Sequence, residues 1–165
     1  MVLPVVAGTC VEHAWARVRQ TQPALVLCLG QATGAAALRV EERALNIDDF
    51  PMPDNAGNQH KKKVIVPSGP PVYRATLQPG RVVRGLRGSD VPAEVSGSAG
   101  TYVCNHLFYG LLHRAAVAGA THQTGFLHLP LLPQQVDPKK PQVAWTLERL
   151  AEGVRRAIVA CVSPD

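Results

Sequence analysis

The sequence predicts one three-layer α/β/α domain on a mostly parallel, mixed central sheet, and three observations lead there. Ala24-Leu25-Val26-Leu27-Cys28-Leu29-Gly30 is a short continuous apolar run bounded by Pro23 and Gly30, the pattern of a strand buried on both faces. Runs of this kind alternate along the chain with segments of helical periodicity, which places helices over both faces of a sheet joined by crossovers. The length of 165 residues supplies one real core but not comfortably two, so residues 1–165 read as a single domain.

The elements follow in order. From Thr9, whose hydroxyl suits an N-cap, Val11, Trp15 and Val18 recur at helical spacing with Arg17 and Arg19 on the polar side, and this helix stops before Gln22-Pro23. The apolar strand comes next and turns at Gln31-Ala32-Thr33-Gly34. Leu38 and Val40 alternate with Arg39 and Glu41, predicting a second extended segment from Leu38 to Ile47. Between Asp48 and Pro71, five prolines and Asp54-Asn55-Ala56-Gly57 predict a long loop of a kind that is often functional. A helix weakened by Gly85 covers Arg81 to Leu86, and a short strand covers Ala93-Glu94-Val95-Ser96. Gly100-Thr101-Tyr102-Val103-Cys104 approaches a helix that runs to about Val117. Thr124 to Leu129 forms a strand ended by Pro130, and Leu147, Leu150, Val154, Ala157, Ile158 and Cys161 mark a final amphipathic helix. In such sheets sites lie outside the carboxyl ends of strands. Gly30-Gln31, the Cys104 turn and His128-Leu129-Pro130 all fall at strand ends where they can meet.

No apolar stretch approaches the roughly 20 residues that a bilayer requires. The opening Met1-Val2-Leu3-Pro4-Val5-Val6 lacks a basic leader and is too short for a secretory signal. Cysteines at 10, 28, 104 and 161 form no CxxC pair, which argues against a disulfide or metal framework and for a reducing cytoplasm. A net charge of +5 raises the question of nucleic acid. The arginines are scattered, however, and the only run is Lys61-Lys62-Lys63 beside His60, which reads as a solvated loop. No aromatic platform or nucleic-acid motif accompanies the charge.

Cys104 is the most informative residue. A turn that delivers a thiol to a helix N-terminus sets it against unpaired backbone N–H groups and the positive end of the helix dipole, which favours the nucleophilic thiolate. Cys28 in the apolar strand and Cys161 on the apolar helical stripe read as core. Such chemistry needs an imidazole partner and a group to orient it. His106 and His113 lie on the helix after Cys104 and read as packing groups, while His13 and His60 read as surface. His128 is carried by an apolar strand to a proline-terminated end, where a rigid scaffold can aim it; a satisfied core histidine is the commoner occupant of such a position.

Several segments together resemble the motifs of the pyroglutamyl peptidase I (pyrrolidone-carboxylate peptidase) family. They are Gly30-Gln31-Ala32, Glu41 through Asn46, Pro53-Asp54-Asn55-Ala56-Gly57, Ser98 through Leu112 around Cys104, and Gly125-Phe126-Leu127-His128-Leu129-Pro130-Leu131-Leu132-Pro133-Gln134-Gln135. The resemblance implies a phosphorylase/hydrolase-like fold and a cofactor-free, metal-free cysteine exopeptidase acting on peptides with N-terminal pyroglutamate, assembled as dimers or tetramers. It implies a triad of Glu41, Cys104 and His128, with Glu42 as the fallback carboxylate, and substrate contacts from Gln31, Met52, Tyr102 and Val103.

The chain also departs from that pattern. Leu3-Pro4-Val5-Val6 resembles the end of the family's second strand, so the family's first quarter, with a lactam-clamping Gly-Phe-x-Pro-Phe-Gly loop, is expected to be absent, leaving an unpaired strand edge. Phe50-Pro51-Met52-Pro53 stands where members carry Ala-Arg-Ile-Pro, and the basic Gln59-His60-Lys61-Lys62-Lys63 stands where they are more acidic. A binding relative that keeps the triad without turnover is the alternative expectation.

Overall fold

Gly8, at φ +77°, turns the N-terminal segment into helix α1 (Thr9–Thr21). That backbone conformation favours glycine, so Gly8 rather than Thr9 stands at the cap, and no side chain caps the helix. The computed structural model describes residues 1–140 and 142–163. After α1 come strands β1 (Leu25–Gln31), β2 (Leu38–Glu41), β3 (Arg43–Leu45) and β4 (Val72–Arg74), helix α2 (Pro79–Arg87), strand β5 (Ala93–Ser96), helix α3 (Val103–Val117), strand β6 (Gln123–Leu129) and helix α4 (Leu147–Val162).

The main sheet has the order β1-β6-β2-β5. β1 pairs in parallel with β6 and β2 with β5, whereas β2 and β6 run antiparallel, with Arg39 opposite His128 and Val40 opposite Leu127. Helices α1 and α3 pack together over one face and α2 and α4 over the other, giving the expected three layers. Pleating divides the core between them. Phe126 of β6 meets Phe108 of α3 at 5.8 Å between ring centres, while its neighbour Leu127 joins Leu38, Val40, Leu86 and Ala157 on the α2/α4 side.

Two expectations need correction. The segment from Leu38 to Ile47 is two strands, because the backbone leaves the main sheet at Glu42. The Glu42 N–H donates to Ser96 O and its carbonyl accepts from Ala75, after which β3 pairs with β4 in a separate two-stranded sheet. β1 is not buried on both faces: Leu29 is 47% exposed, and Leu25, Val26 and Leu27 are half-buried. Among the described strands, β1 has a neighbour only in β6, and an edge strand loses cover that an interior one keeps. No helix among the described residues is long and apolar enough to cross a membrane.

Candidate active site

The approach to α3 is stitched to the segment that follows β3. Thr101 Oγ1 donates to Asp49 O at 2.9 Å, and Asp49 N–H donates to Thr101 O at 3.0 Å. Asn105, fully buried, accepts from Leu45 N–H at 2.8 Å and donates to the carbonyls of Leu45 and Ile47 at 2.9 and 3.0 Å. These contacts hold Cys104 as the second residue of α3, at a helix start with no side-chain cap. Its N–H groups therefore remain available to an incoming anion.

β1 makes room for the thiol. A Cβ at Gly30 would lie 2.8 Å from the Phe126 ring and 3.1 Å from Cys104 Sγ, so glycine is what allows sulfur to approach the strand. Cys104 is partly exposed, whereas Cys10, Cys28 and Cys161 are buried. Burial pushes the Cys10 and Cys28 thiols up to about 12 and raises Cys161 as well, which keeps all three protonated and unreactive.

His128 Nδ1 lies 2.8 Å from Glu41 Oε1, and Cys104 is close enough to the same ring to raise its pKa. Burial by itself would lower the pKa of His128. The influence of Cys104 and then of Glu41, with their charges, outweighs it and pushes the imidazole up to about 9. Glu41 is 1% exposed, and its second oxygen, Oε2, has no hydrogen-bond partner among the described residues. Because β2 runs against β6, Glu41 reaches His128 sideways, as a diagonal cross-strand neighbour, and not from a shared carboxyl end. Glu42 points away: its carboxylate is half-exposed and pairs with Arg74 at 2.6 Å and Arg43 at 3.6 Å.

The remaining predicted contacts sit at differing depths. Val103 is buried beside Cys104. Tyr102 is half-buried, donates from its hydroxyl to Pro53 O at 3.0 Å and packs edge-on against Phe50 at 4.9 Å. Met52 is 59% exposed. Gln31 is exposed, and its Oε1 accepts from Gln135 Nε2 at 3.2 Å.

Sequence reasoning passed over a second buried cluster. Asp48 Oδ2 lies 2.7 Å from His60 Nδ1 and 2.9 Å from His106 Nδ1, and His106 Nε2 accepts from Gly8 N–H at 2.9 Å. The available signal was on α3 itself. A helix buried at Val103 and from Asn105 to Leu112 has no wet face there for Asn105 and His106, so both require partners elsewhere in the chain.

A family model described as pyroglutamyl peptidase matches residues 1–163. The chain belongs to the pyroglutamyl peptidase family. It is 41% identical over 163 residues to a pyrrolidone-carboxylate peptidase of Brevibacillus brevis, covering 99% of this chain and 76% of the relative. Against that of Cupriavidus taiwanensis it is 44% identical over 162 residues, covering 98% and 75%. Among solved members of the family, pyroglutamyl peptidase I from Bacillus amyloliquefaciens superposes with a TM-score of 0.92 at 32% identity, covering 96% of this chain and 75% of that one. The pyrrolidone carboxyl peptidase from Thermococcus litoralis gives 0.93 at 31%, covering 98% and 76%.

Proposed function

We propose that this chain is a cysteine exopeptidase that removes N-terminal pyroglutamate from peptides. The observation that carries the reading is the 2.8 Å contact between Glu41 and His128, with Cys104 at the uncapped start of α3 acting on the same imidazole. In this reading Cys104 is the nucleophile, His128 the acid and base, and Glu41 the group that holds His128 in the Nδ1–H tautomer. Sulfur attacks the carbonyl carbon between the lactam residue and the next amino acid, forming a C–S bond while the carbonyl electron pair moves to oxygen. N–H groups at the helix start, including that of Cys104, receive the oxyanion. Collapse breaks the C–N bond as His128 protonates the departing amine. His128 then takes a proton from water, whose hydroxide displaces the thiolate and releases free pyroglutamate.

Pyroglutamate is small, planar and uncharged, and Tyr102, Val103, Met52 and Gln31 are read as its contacts. Val103 and Tyr102 supply apolar wall next to the nucleophile, and Gln31 an amide for the lactam. The chain reads as one catalytic domain that acts in a reducing cytoplasm, assembles with copies of itself and has no nucleic-acid partner. A fluorogenic pyroglutamyl amide tests the activity, with a thermal melt run beside it. Release of the fluorophore that Cys104→Ala abolishes is the expected result. A well-folded parent protein that releases none would sink the peptidase reading and leave a binding relative in its place.

A further inference from the structure

The basic run after Gln59, which has no role in the chemistry above, is built into the rear of the proposed substrate wall. Residues 48–50 lie against residues 60–63 at one antiparallel bridge: Asp48 and Lys63 exchange both backbone bonds, at 2.7 and 2.9 Å, and beside it Phe50 N–H donates to His60 O at 2.8 Å. Lys61 Nζ donates to Phe50 O at 2.7 Å. Beside this bridge the His60 ring stacks on Phe50 at 4.9 Å and 23°, and Phe50 in turn meets Tyr102 in a T-shaped contact at 4.9 Å and 74°. The three rings form a stack whose inner member stands two residues before Cys104 and whose outer member is His60.

The outer ring is locked by chemistry that defines its tautomer. Lys63 Nζ lies 3.4 Å from His60 Nε2, and an ammonium only donates, so Nε2 accepts and the proton sits on Nδ1, facing Asp48 Oδ2. The same carboxylate oxygen accepts from His106 Nδ1, whose proton is assigned by the same logic, since His106 Nε2 accepts from Gly8 N–H. His106 lies two residues after Cys104 on α3. One oxygen of a 1% exposed aspartate therefore ties the back of the ring stack to the helix that carries the thiol. Phe50 is fully buried under the His60 ring, so removing that ring opens a face of Phe50 and frees it to slide from Tyr102.

We infer that His60 is a positioning residue for substrate recognition: clamped by Asp48, it presses Phe50 against Tyr102 and so sets the distance between the pocket wall and the Cys104 thiol. The inference rests on the peptidase reading for its substrate. It assigns the ring, and not merely the hydrogen bond, to recognition, and two variants separate the two. His60→Ala removes both. His60→Asn keeps an N–H donor near the Nδ1 position for Asp48 but has no ring to stack.

The test combines steady-state kinetics on a pyroglutamyl amide with thermal melts. Both variants are expected to raise KM about three- to tenfold, the value of a lost ring pair, with kcat held within about twofold. The melting temperature of His60→Asn should lie nearer the parent than that of His60→Ala. A KM that recovers together with the melting temperature in His60→Asn, or that neither variant moves, overturns the inference, because a merely structural histidine behaves that way. A parent protein that turns over no substrate defeats the peptidase reading. The inference is then judged by alkylation of Cys104 with a pyroglutamyl chloromethyl ketone and with iodoacetamide. The ratio of the two rates should fall about three- to tenfold in His60→Asn. An unchanged ratio, or a parent that does not discriminate between the reagents, overturns it.

Discussion

Glu41→Gln is the most informative single change at the site. The carboxylate is 1% exposed, and Oε1 meets His128 Nδ1 at 2.8 Å, so the amide fits the same space and removes mainly charge. Two consequences follow. The amide can present its NH2 group to Nδ1 and select the wrong tautomer of His128, which in comparable triads costs up to about 10⁴ in turnover, so a fall of about 10²–10⁴ in kcat/KM is expected. The imidazolium also loses one of the two groups that push His128 up to about 9. The alkaline limb of the rate profile, where His128 gives up the proton it must hold as acid, then moves acidward by on the order of one pH unit, equivalent to about 1.4 kcal/mol of lost imidazolium stabilisation. The assay is kcat/KM on a pyroglutamyl amide from pH 5 to 10 for parent and variant. A variant within threefold of the parent, with its alkaline limb unmoved, would refute the role given to Glu41.

Four further outcomes are open to measurement. Stability should decline on the alkaline side. A His128 pKa raised from 6.5 to about 9 contributes stability that is complete below pH 6.5 and lost as pH rises through about 9, on the order of 3 kcal/mol. The buried Cys10 and Cys28 thiols act in the same direction above pH 9, where the unfolded chain sheds protons that the folded chain keeps; melting temperatures that rise from pH 6 to 9.5 would contradict this. Gly30→Ala forces a Cβ against Phe126 and Cys104 Sγ, and overpacking of this kind costs about 1–3 kcal/mol. Because the thiol itself must shift, kcat should fall well beyond what a melt accounts for, and full activity would show that the sulfur has slack. Iodoacetamide at neutral pH should modify Cys104 alone among the four thiols, as read by peptide mapping; prior labelling of Cys10 or Cys28 would contradict their burial. Asn105→Ala orphans the buried polar groups of Leu45 and Ile47, and a loss of about 2–4 kcal/mol is expected from denaturant melts.

Much of the architecture was legible because short-range rules decide it. The helices from Thr9 and to Val117, the strands around Leu27, Ala93 and Phe126, and the amphipathic stripe of α4 all carry periodicity or punctuation visible in a window of some ten residues. Strand β4 was not visible. Val72-Tyr73-Arg74 is three residues long in a proline-rich stretch, and it is extended only because β3 offers it a partner. The break at Glu42 is marked locally by Glu41-Glu42-Arg43, three polar residues at which the alternation of Leu38 and Val40 stops, but the departure from the sheet is set by which strand each side meets.

At the site, the residue types and their order belong to the sequence: a thiol after a glycine-containing turn, a histidine at a proline-terminated strand end, and a glutamate on one face of an alternating segment. Which of two adjacent carboxylates serves the imidazole depended on tertiary structure, since antiparallel pairing of β2 with β6 turns Glu41 inward as a diagonal neighbour of His128 and sends Glu42 out to Arg74. The same holds for Asp48, His60 and His106, separated by 12 and 58 residues from their shared oxygen and joined only when the loop after β3 folds back across the start of α3. Local sequence determines what conformation a segment prefers and which chemistry it carries. Hydrogen bonds and charges act over a few ångströms, so their pairing is decided only where the fold brings distant segments into that range.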